Sequence, residues 1–260
     1  MKVHVFASGS GGNCLLVSDG DTHLLIDAGI SMRRVESSLC QAGLTLHQLD
    51  GVLITHEHSD HVSGLKMLLK HSKLPIYAPH TVASRLGGMM PDALELTHVI
   101  PVGEAFPVGC VSVTAFHTPH DTDESVGYRI EGTGVFAIAT DMGHVTDEVF
   151  GGLRGADTAL IESNHDLDML RFGPYPVPLK RRILSDYGHL SNPDCAQLAR
   201  RLAETGTRTV ILGHLSRENN RPELALSETV RALDGFNTSV CCAPVFGHLC
   251  LNVGEEPCFV

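Results

Sequence analysis

No apolar stretch of this sequence approaches the ~20 residues that a bilayer-spanning helix needs, so a membrane role is not expected. The opening Met1-Lys2-Val3-His4-Val5-Phe6 runs straight into a strand-like pattern, without a long apolar h-region or an A-x-A site. A cytoplasmic location is the expectation. The eight cysteines (Cys14, Cys40, Cys110, Cys195, Cys241, Cys242, Cys250 and Cys258) include no C-x-x-C pair, which leaves a zinc ribbon or a thioredoxin-like motif unsupported. Free buried thiols are expected instead. Positive charge is also scarce: 19 Lys and Arg against 30 Asp and Glu give a net charge of −11. That excludes sequence-independent nucleic-acid binding over the whole surface. A nucleic-acid partner such as DNA would need a local basic strip. Lys180-Arg181-Arg182, Arg200-Arg201, and Arg217 with Arg221 are the candidates, and each run reads equally well as a solvated helix face. No internal repeat, low-complexity tract or polar linker interrupts the chain, so residues 1–260 are expected to form one domain.

What the sequence does have is histidine, 16 of them, and strands. Short strands are predicted at 3–7, 13–18 and 22–26, and a buried one at 51–55. Others follow at 74–77, 96–100, 111–116, 126–130, 135–139, 158–162, 209–212, 239–242 and 249–253. Helical spacing covers 32–42, 62–71, 79–86, 145–153, 179–186, 193–204 and 222–233. Gly43 stops the first helix, and Asn192 is the expected cap of the helix that opens on Pro193. Hairpins with interspersed helices, lacking regular βαβ alternation, predict two sheets with helices outside, an α+β architecture. Polar residues recur just after the apolar strands, where distant parts of the chain can meet at one rim.

The densest such point is Thr55-His56-Glu57-His58-Ser59-Asp60-His61. An extended His-x-His sets two imidazoles on one side of the chain, and the following turn aims Asp60 and His61 toward a neighbouring position. One loop can thus serve two adjacent metal ions.

The pattern resembles the metallo-β-lactamase superfamily, whose signature is His-x-His-x-Asp-His after a strand, and the resemblance covers nearly the whole chain. It implies a four-layer αββα sandwich with a two-metal cleft at one edge of the paired sheets. Later ligands in that superfamily are a histidine, a bridging aspartate and a final histidine. Asp141, in Thr140-Asp141-Met142-Gly143, matches the bridging position, and His214, in Leu212-Gly213-His214-Leu215-Ser216, the last. His117 and His120 compete for the third histidine; His120 is favoured because His120-Asp121 resembles the family's His-Asp position. The resemblance therefore implies one ion on His56, His58 and His120, a second on Asp60, His61 and His214, and Asp141 joining both. A hydroxide between two divalent ions is a nucleophile at neutral pH, and Asp60 would orient it or take its proton. Mixed His/Asp ligands suit zinc, manganese and iron alike.

Three segments are similar to one subgroup, the YycJ (WalJ) family of exonuclease-like phosphodiesterases, for which 5′-to-3′ action on DNA is proposed. They are Ser8-Gly9-Ser10-Gly11-Gly12-Asn13-Cys14, Glu162-Ser163-Asn164-His165-Asp166, and Gly188-His189-Leu190-Ser191-Asn192. The resemblance implies that His189 touches the scissile phosphate or acts as general acid. His165 reads first as a residue that holds a carboxylate, with a substrate contact or an extra ligand as alternatives. Ser8, Ser10 and Asn13 sit in a glycine-rich turn that offers hydroxyls and N–H groups to a phosphate, or is a plain hairpin turn. A small-molecule hydrolase of a cyclic phosphodiester, thioester or lactone is the other functional reading. Oligomeric state is not legible.

Overall fold

In the computed structural model, which describes residues 1–255, the chain first builds β1 (Lys2–Ala7), β2 (Cys14–Asp19), β3 (Thr22–Ile26), β4 (Gly51–Leu53), β5 (Ile76–Ala78) and β6 (Thr97–Val99). It then builds β7 (Ala105–Val108), β8 (Val111–His117), β9 (Val126–Glu131), β10 (Val135–Ala139), β11 (Thr158–Glu162), β12 (Thr209–Gly213) and β13 (Ser239–Cys242). The last strand, β14 (Leu249–Asn252), returns to pair with β1. The first sheet has the order β14-β1-β2-β3-β4-β5-β6, and the second β13-β12-β11-β10-β9-β8-β7.

The helices are α1 (Met32–Gln41), α2 (Ser59–Val62), α3 (Leu65–His71), α4 (His80–Met89), α5 (Asp147–Leu153), α6 (Leu167–Phe172), α7 (Val177–Ile183), α8 (Asn192–Glu204) and α9 (Pro222–Ala232). Three apolar layers account for their placement. Val35, Leu39, Leu68 and Val82 of α1, α3 and α4 pack on Leu16, Leu25 and Val52 on the outside of the first sheet. Val149, Leu198 and Ala225 of α5, α8 and α9 cover Ala137, Ile161 and Val210 on the outside of the second. Between the sheets lie Val5, Leu15, Leu24 and Ile26 against Tyr128, Ile130, Phe136 and Leu160. This is the αββα sandwich. No helix among the described residues is long and apolar enough to cross a membrane.

Parallel pairing positions the site. Ile26 of β3 lies opposite Leu53 of β4, so both strands end at the same level. In the other sheet Ala139 lies opposite Ile161, and Glu162 opposite Gly213, which aligns the ends of β10, β11 and β12. Strands buried on both faces read as continuous apolar runs, as Val-Phe-Ala-Ile-Ala of β10 does. The two sheets meet at this rim, where Val126 donates its N–H to the Thr55 carbonyl at 3.1 Å.

Several expected details change. The helix expected at 62–71 divides into α2 and α3, because Gly64 packs against the Ala28 and Ile30 carbonyls with no room for a side chain. Asn192 is not the cap of α8. Ser191 caps it by accepting the Asp194 N–H, while wholly buried Asn192 bonds to Ser163 and Asn220. The segment at 105–108 was not predicted as a strand; its Pro107 is tolerated because β7 is an edge strand. α6 was missed as well, although Asp166 caps it through the N–H groups of Asp168 and Met169. The thiols are free among the described residues, but Cys40, Cys110 and Cys250 are exposed rather than buried, and Cys258 lies outside the described residues.

The Tyr128 hydroxyl, fully buried between the sheets, donates to the Ile54 carbonyl at 2.6 Å, immediately before the histidine-rich loop. Tyr128→Phe leaves that carbonyl without its partner and should lower stability by about 1–2 kcal/mol in urea unfolding. An unchanged midpoint would show that the bond contributes nothing.

Candidate metal centre

The loop after β4 delivers its side chains as alternation and a helical turn require. His58 is extended (φ −60°, ψ 148°) and opens α2, whose first turn carries Asp60 and His61. The nitrogens of His56, His58 and His120 lie within 4.8 Å of one another, and so do the ligand atoms of Asp60, His61 and His214. His120 Nε2 is 3.3 Å from His58 Nδ1. The competition between the two histidines after β8 resolves geometrically. His117 is half exposed and bonds to Glu148 at 2.9 Å, well outside the clusters, while His120 is buried within one.

Asp141 stands between the clusters, buried, and divides its two oxygens. Oδ2 is 3.3 Å from His61 Nε2 and 3.2 Å from His214 Nδ1. Oδ1 faces the other way, 3.9 Å from His120 Nε2 and 3.8 Å from His189 Nδ1. The backbone is strained to achieve this. Among the described residues the non-glycine residues with positive φ are Asp27 (59°), Asp141 (57°) and His214 (53°). Each follows a parallel strand, and each left-handed conformation costs on the order of 1–3 kcal/mol that the surroundings must offset.

Asp27 was not anticipated, yet it anchors the loop. Its carboxylate meets His61 Nδ1 at 2.7 Å and accepts the Thr55 N–H at 2.9 Å and the Thr55 hydroxyl at 3.0 Å. The bond fixes the His61 ring so that Nε2 faces Asp60 and Asp141. The signal was available, since Asp27 directly follows β3 just as the other site residues follow their strands. Gly29 makes the loop possible: a side chain there would collide with the Asp60 carbonyl, 1.6 Å from an ideal Cβ. Asn13 lies beneath, donating to Asp60 Oδ2 at 3.3 Å and lying 3.0 Å from His61 Nε2. It is 3% exposed and supports Asp60 and His61, leaving it no face for a phosphate.

Ser8 also departs from expectation. It is buried, and its hydroxyl accepts the His214 N–H at 2.9 Å, which holds the strained His214 backbone and removes Ser8 from any phosphate. Ser10 is exposed and borders a cavity beside the centre. His165 does not hold a carboxylate. It is 1% exposed, and neither ring nitrogen has a partner among the described residues. Burial drives its pKa down to about 4, which keeps it neutral.

The carboxylate-holding partnership belongs to His189 and Glu162, which sequence reasoning quoted without assigning. His189 Nδ1 is 2.7 Å from Glu162 Oε1, and Glu162 Oε2 accepts the Met142 N–H at 2.9 Å. Both carboxylate oxygens are thereby engaged, so Glu162 supports His189 and has no free oxygen to offer as a ligand. Burial opposes a charge on His189, but Glu162 beside it prevails and raises its pKa to about 9.

Charge at the centre alternates. Burial lowers His56 and His120, keeping both neutral, the form that binds a metal. His61 and His214 are also buried, but Asp141 raises both, with Asp27 contributing at His61. Burial works against a charge on Asp141 too, and His214 and His61 nonetheless hold it well below the usual carboxylate range. A bound cation would take the place of those protons. The residues fit one: His56 Nε2, Asp141 Oδ2 and His214 Nδ1 are buried without a hydrogen-bond partner, each costing about 1–3 kcal/mol unless a ligand is present.

Comparison with known proteins places this geometry. A family model described as a β-lactamase superfamily domain matches residues 22–215. The exodeoxyribonuclease YycJ of Bacillus anthracis is 38% identical over 234 residues, covering 88% of each chain. The exodeoxyribonuclease WalJ of Streptococcus pneumoniae serotype 2 is 37% identical over 238 residues, 89% of this chain and 88% of that one. The metallo-β-lactamase fold protein YhfI from Bacillus subtilis superposes with a TM-score of 0.74 over 96% of this chain and 99% of its own, at 20% identity, which shows the fold. The fold and the matches define a metal-dependent hydrolase of the β-lactamase superfamily. Within that superfamily the chain belongs to the family of YycJ and WalJ.

Because Asp27 fixes the His61 ring, Asp27→Ala should weaken binding of a divalent ion about 10–100-fold, read by competition with a chromogenic chelator. Wild-type affinity in the variant would show that the aspartate has no part in positioning His61.

Proposed function

We propose that the protein is a dinuclear metal-dependent phosphodiesterase that degrades DNA as an exonuclease, with 5′-to-3′ polarity as in the proposal for its family. The observation that carries the dinuclear site is the division of Asp141: Oδ2 faces His61 and His214, and Oδ1 faces His120. In this reading His56, His58 and His120 hold one divalent ion, Asp60, His61 and His214 the other, and Asp141 joins them. Zinc or manganese, and iron as well, match the donor set. When bound, such a pair generates a nucleophile from water at neutral pH and stabilises charge on phosphoryl oxygens. The DNA substrate is supported by YycJ and WalJ, which align along nearly nine-tenths of this chain.

The remaining steps belong to side chains of this chain. Asp60 is partly exposed; burial raises its pKa, but the neighbouring His61 outweighs that and keeps it below the usual carboxylate range. It is therefore an acceptor able to orient a water or take its proton. His189 presents a cationic ring at the rim, with Nδ1 held by Glu162 and the ring 5.3 Å from those of His120 and His214. That is where a positive donor would meet a phosphate oxygen or a departing alkoxide. The net charge of −11 favours a second reading, a hydrolase of small phosphodiesters, thioesters or lactones. The two differ in salt response, because phosphate contacts along DNA release counterions and small esters have few to make.

The test is hydrolysis of end-labelled single- and double-stranded DNA with zinc, manganese or iron, beside an Asp60→Ala control. Stepwise loss from one end, absent in the control, is expected. No cleavage with any metal, together with turnover of a small ester, would replace this reading by the second. In the same assay His189→Ala should retain its metal content and lose about 10²–10⁴-fold in kcat. Near-full activity would remove His189 from the reaction.

A further inference from the structure

The segment between β11 and α8 forms more than a connection. Its α6 and α7 pass beside the metal centre and enclose a cavity of about 170 Å³. Tyr175, Leu179 and Ile183 give it an aromatic and apolar wall, and Ser10, Asn164 and Ser216 face them from the sandwich. His120 and His189 close the end nearest the centre, so whatever enters lies directly beside the proposed scissile bond. The volume is below the roughly 300 Å³ at which drug-sized ligand pockets begin, and suits one planar ring system better than a whole nucleotide.

Around this cavity the surface is basic and aromatic, against the sign of the molecule as a whole. Arg182 lines the cavity and donates to Asp121 through Nε only, leaving both Nη groups without a hydrogen bond among the described residues. Arg181 is exposed and makes no ion pair among the described residues. Phe172 and Tyr187, 80% and 60% exposed, lie on the same segment, and Tyr187 immediately precedes Gly188 and His189. Aromatic faces for bases interleaved with cations for phosphates are the combination that holds a single strand. The other basic runs lack it: Arg200 pairs with Glu204 and Arg201 lies over Phe150, both on α8.

We propose that this cavity is a base subsite, which takes the unpaired nucleobase next to the scissile phosphate against Tyr175 and Leu179 while the Arg182 guanidinium meets the adjoining phosphate. The proposal rests on the nuclease reading and sharpens it: the substrate end must be single-stranded, since a paired base cannot enter. Tyr175, Leu179 and Arg182 act as specificity-determining residues, and touch the flanking nucleotide without taking part in bond cleavage.

The experiment is a cycle on the metal-loaded full chain with single-stranded oligonucleotides, each carrying one abasic residue at a position flanking the cleaved bond. At one of these positions loss of the base should raise KM about tenfold with little change in kcat, in line with stacking of one base. Tyr175→Ala should raise KM by a similar factor on the intact strand, and should add nothing on that abasic strand, because both changes remove the same contact. Leu179→Trp, which fills the cavity, should raise KM on the intact strand as well. Melting temperature and metal content report on folding, and the abasic arm of the wild-type protein needs no variant. Wild-type KM for every abasic strand, or losses that multiply between the abasic strand and Tyr175→Ala, would overturn the subsite. A wild-type protein that hydrolyses methyl 4-nitrophenyl phosphate but no DNA gives a different failure: it ends the nuclease reading, and the subsite with it.

Discussion

Asp141 is a buried carboxylate in a left-handed backbone conformation, with one oxygen turned to His61 and His214 and the other to His120 and His189. Neither the strain nor the burial is stabilising in itself, and Oδ2 has no hydrogen bond to offset them. The surrounding fold imposes the arrangement. β10, β11 and β12 run parallel in register, buried on both faces, and end together, so the residue after each strand has one rim to occupy. Asp27 and His214 share the left-handed backbone for the same reason. Close-packed sheets hold these conformations, and in return the rim gathers ligand-type side chains that a relaxed loop would scatter.

Support beneath the centre is equally specific. Asp27 and Thr55 fix His61, Asn13 contacts Asp60, Ser8 holds the His214 backbone, and Glu162 holds His189. The glycines of the first turn and of the segment after β3 serve this packing: Gly29 lets the Asp60 carbonyl approach, and Gly12 lies under the Gly29 carbonyl. A sequence motif shows the ligands alone. Much of the precision comes from these partners, which orient rings and carboxylates without touching an ion.

This explains what was legible in the sequence. Continuous apolar strands and the spacing of His56 to His61 carry a strong local signal, and the rule that polar residues follow strands finds Asp141 and His214. The choice between His117 and His120 depends on which way the chain turns after β8, where Glu148 draws His117 to the surface. Ser8 and Asn13 look like free polar groups in a glycine turn, because their partners, His214 and Asp60, lie 206 and 47 residues away in sequence. Long-range partnerships of this kind leave no periodicity. The same limit hid α6 and the cavity beside it. α6 is short, and the aromatic residues near it have no core to pack against, so neither feature produced a hydrophobic pattern.

An acidic molecule acting on a polyanion is not a contradiction when the positive charge is local. His61, His189 and His214 are raised toward their cationic forms at the rim, and Arg181 and Arg182 stand beside it. Bound ions would add more. The central claim is that two ions share Asp141, and diffraction from metal-loaded crystals at the metal's absorption edge tests it most directly. The account predicts two anomalous peaks about 3.5–4 Å apart, one ringed by His56, His58 and His120, the other by Asp60, His61 and His214, with one Asp141 oxygen on each. A single peak, or peaks that leave Asp141 uncoordinated, would contradict it.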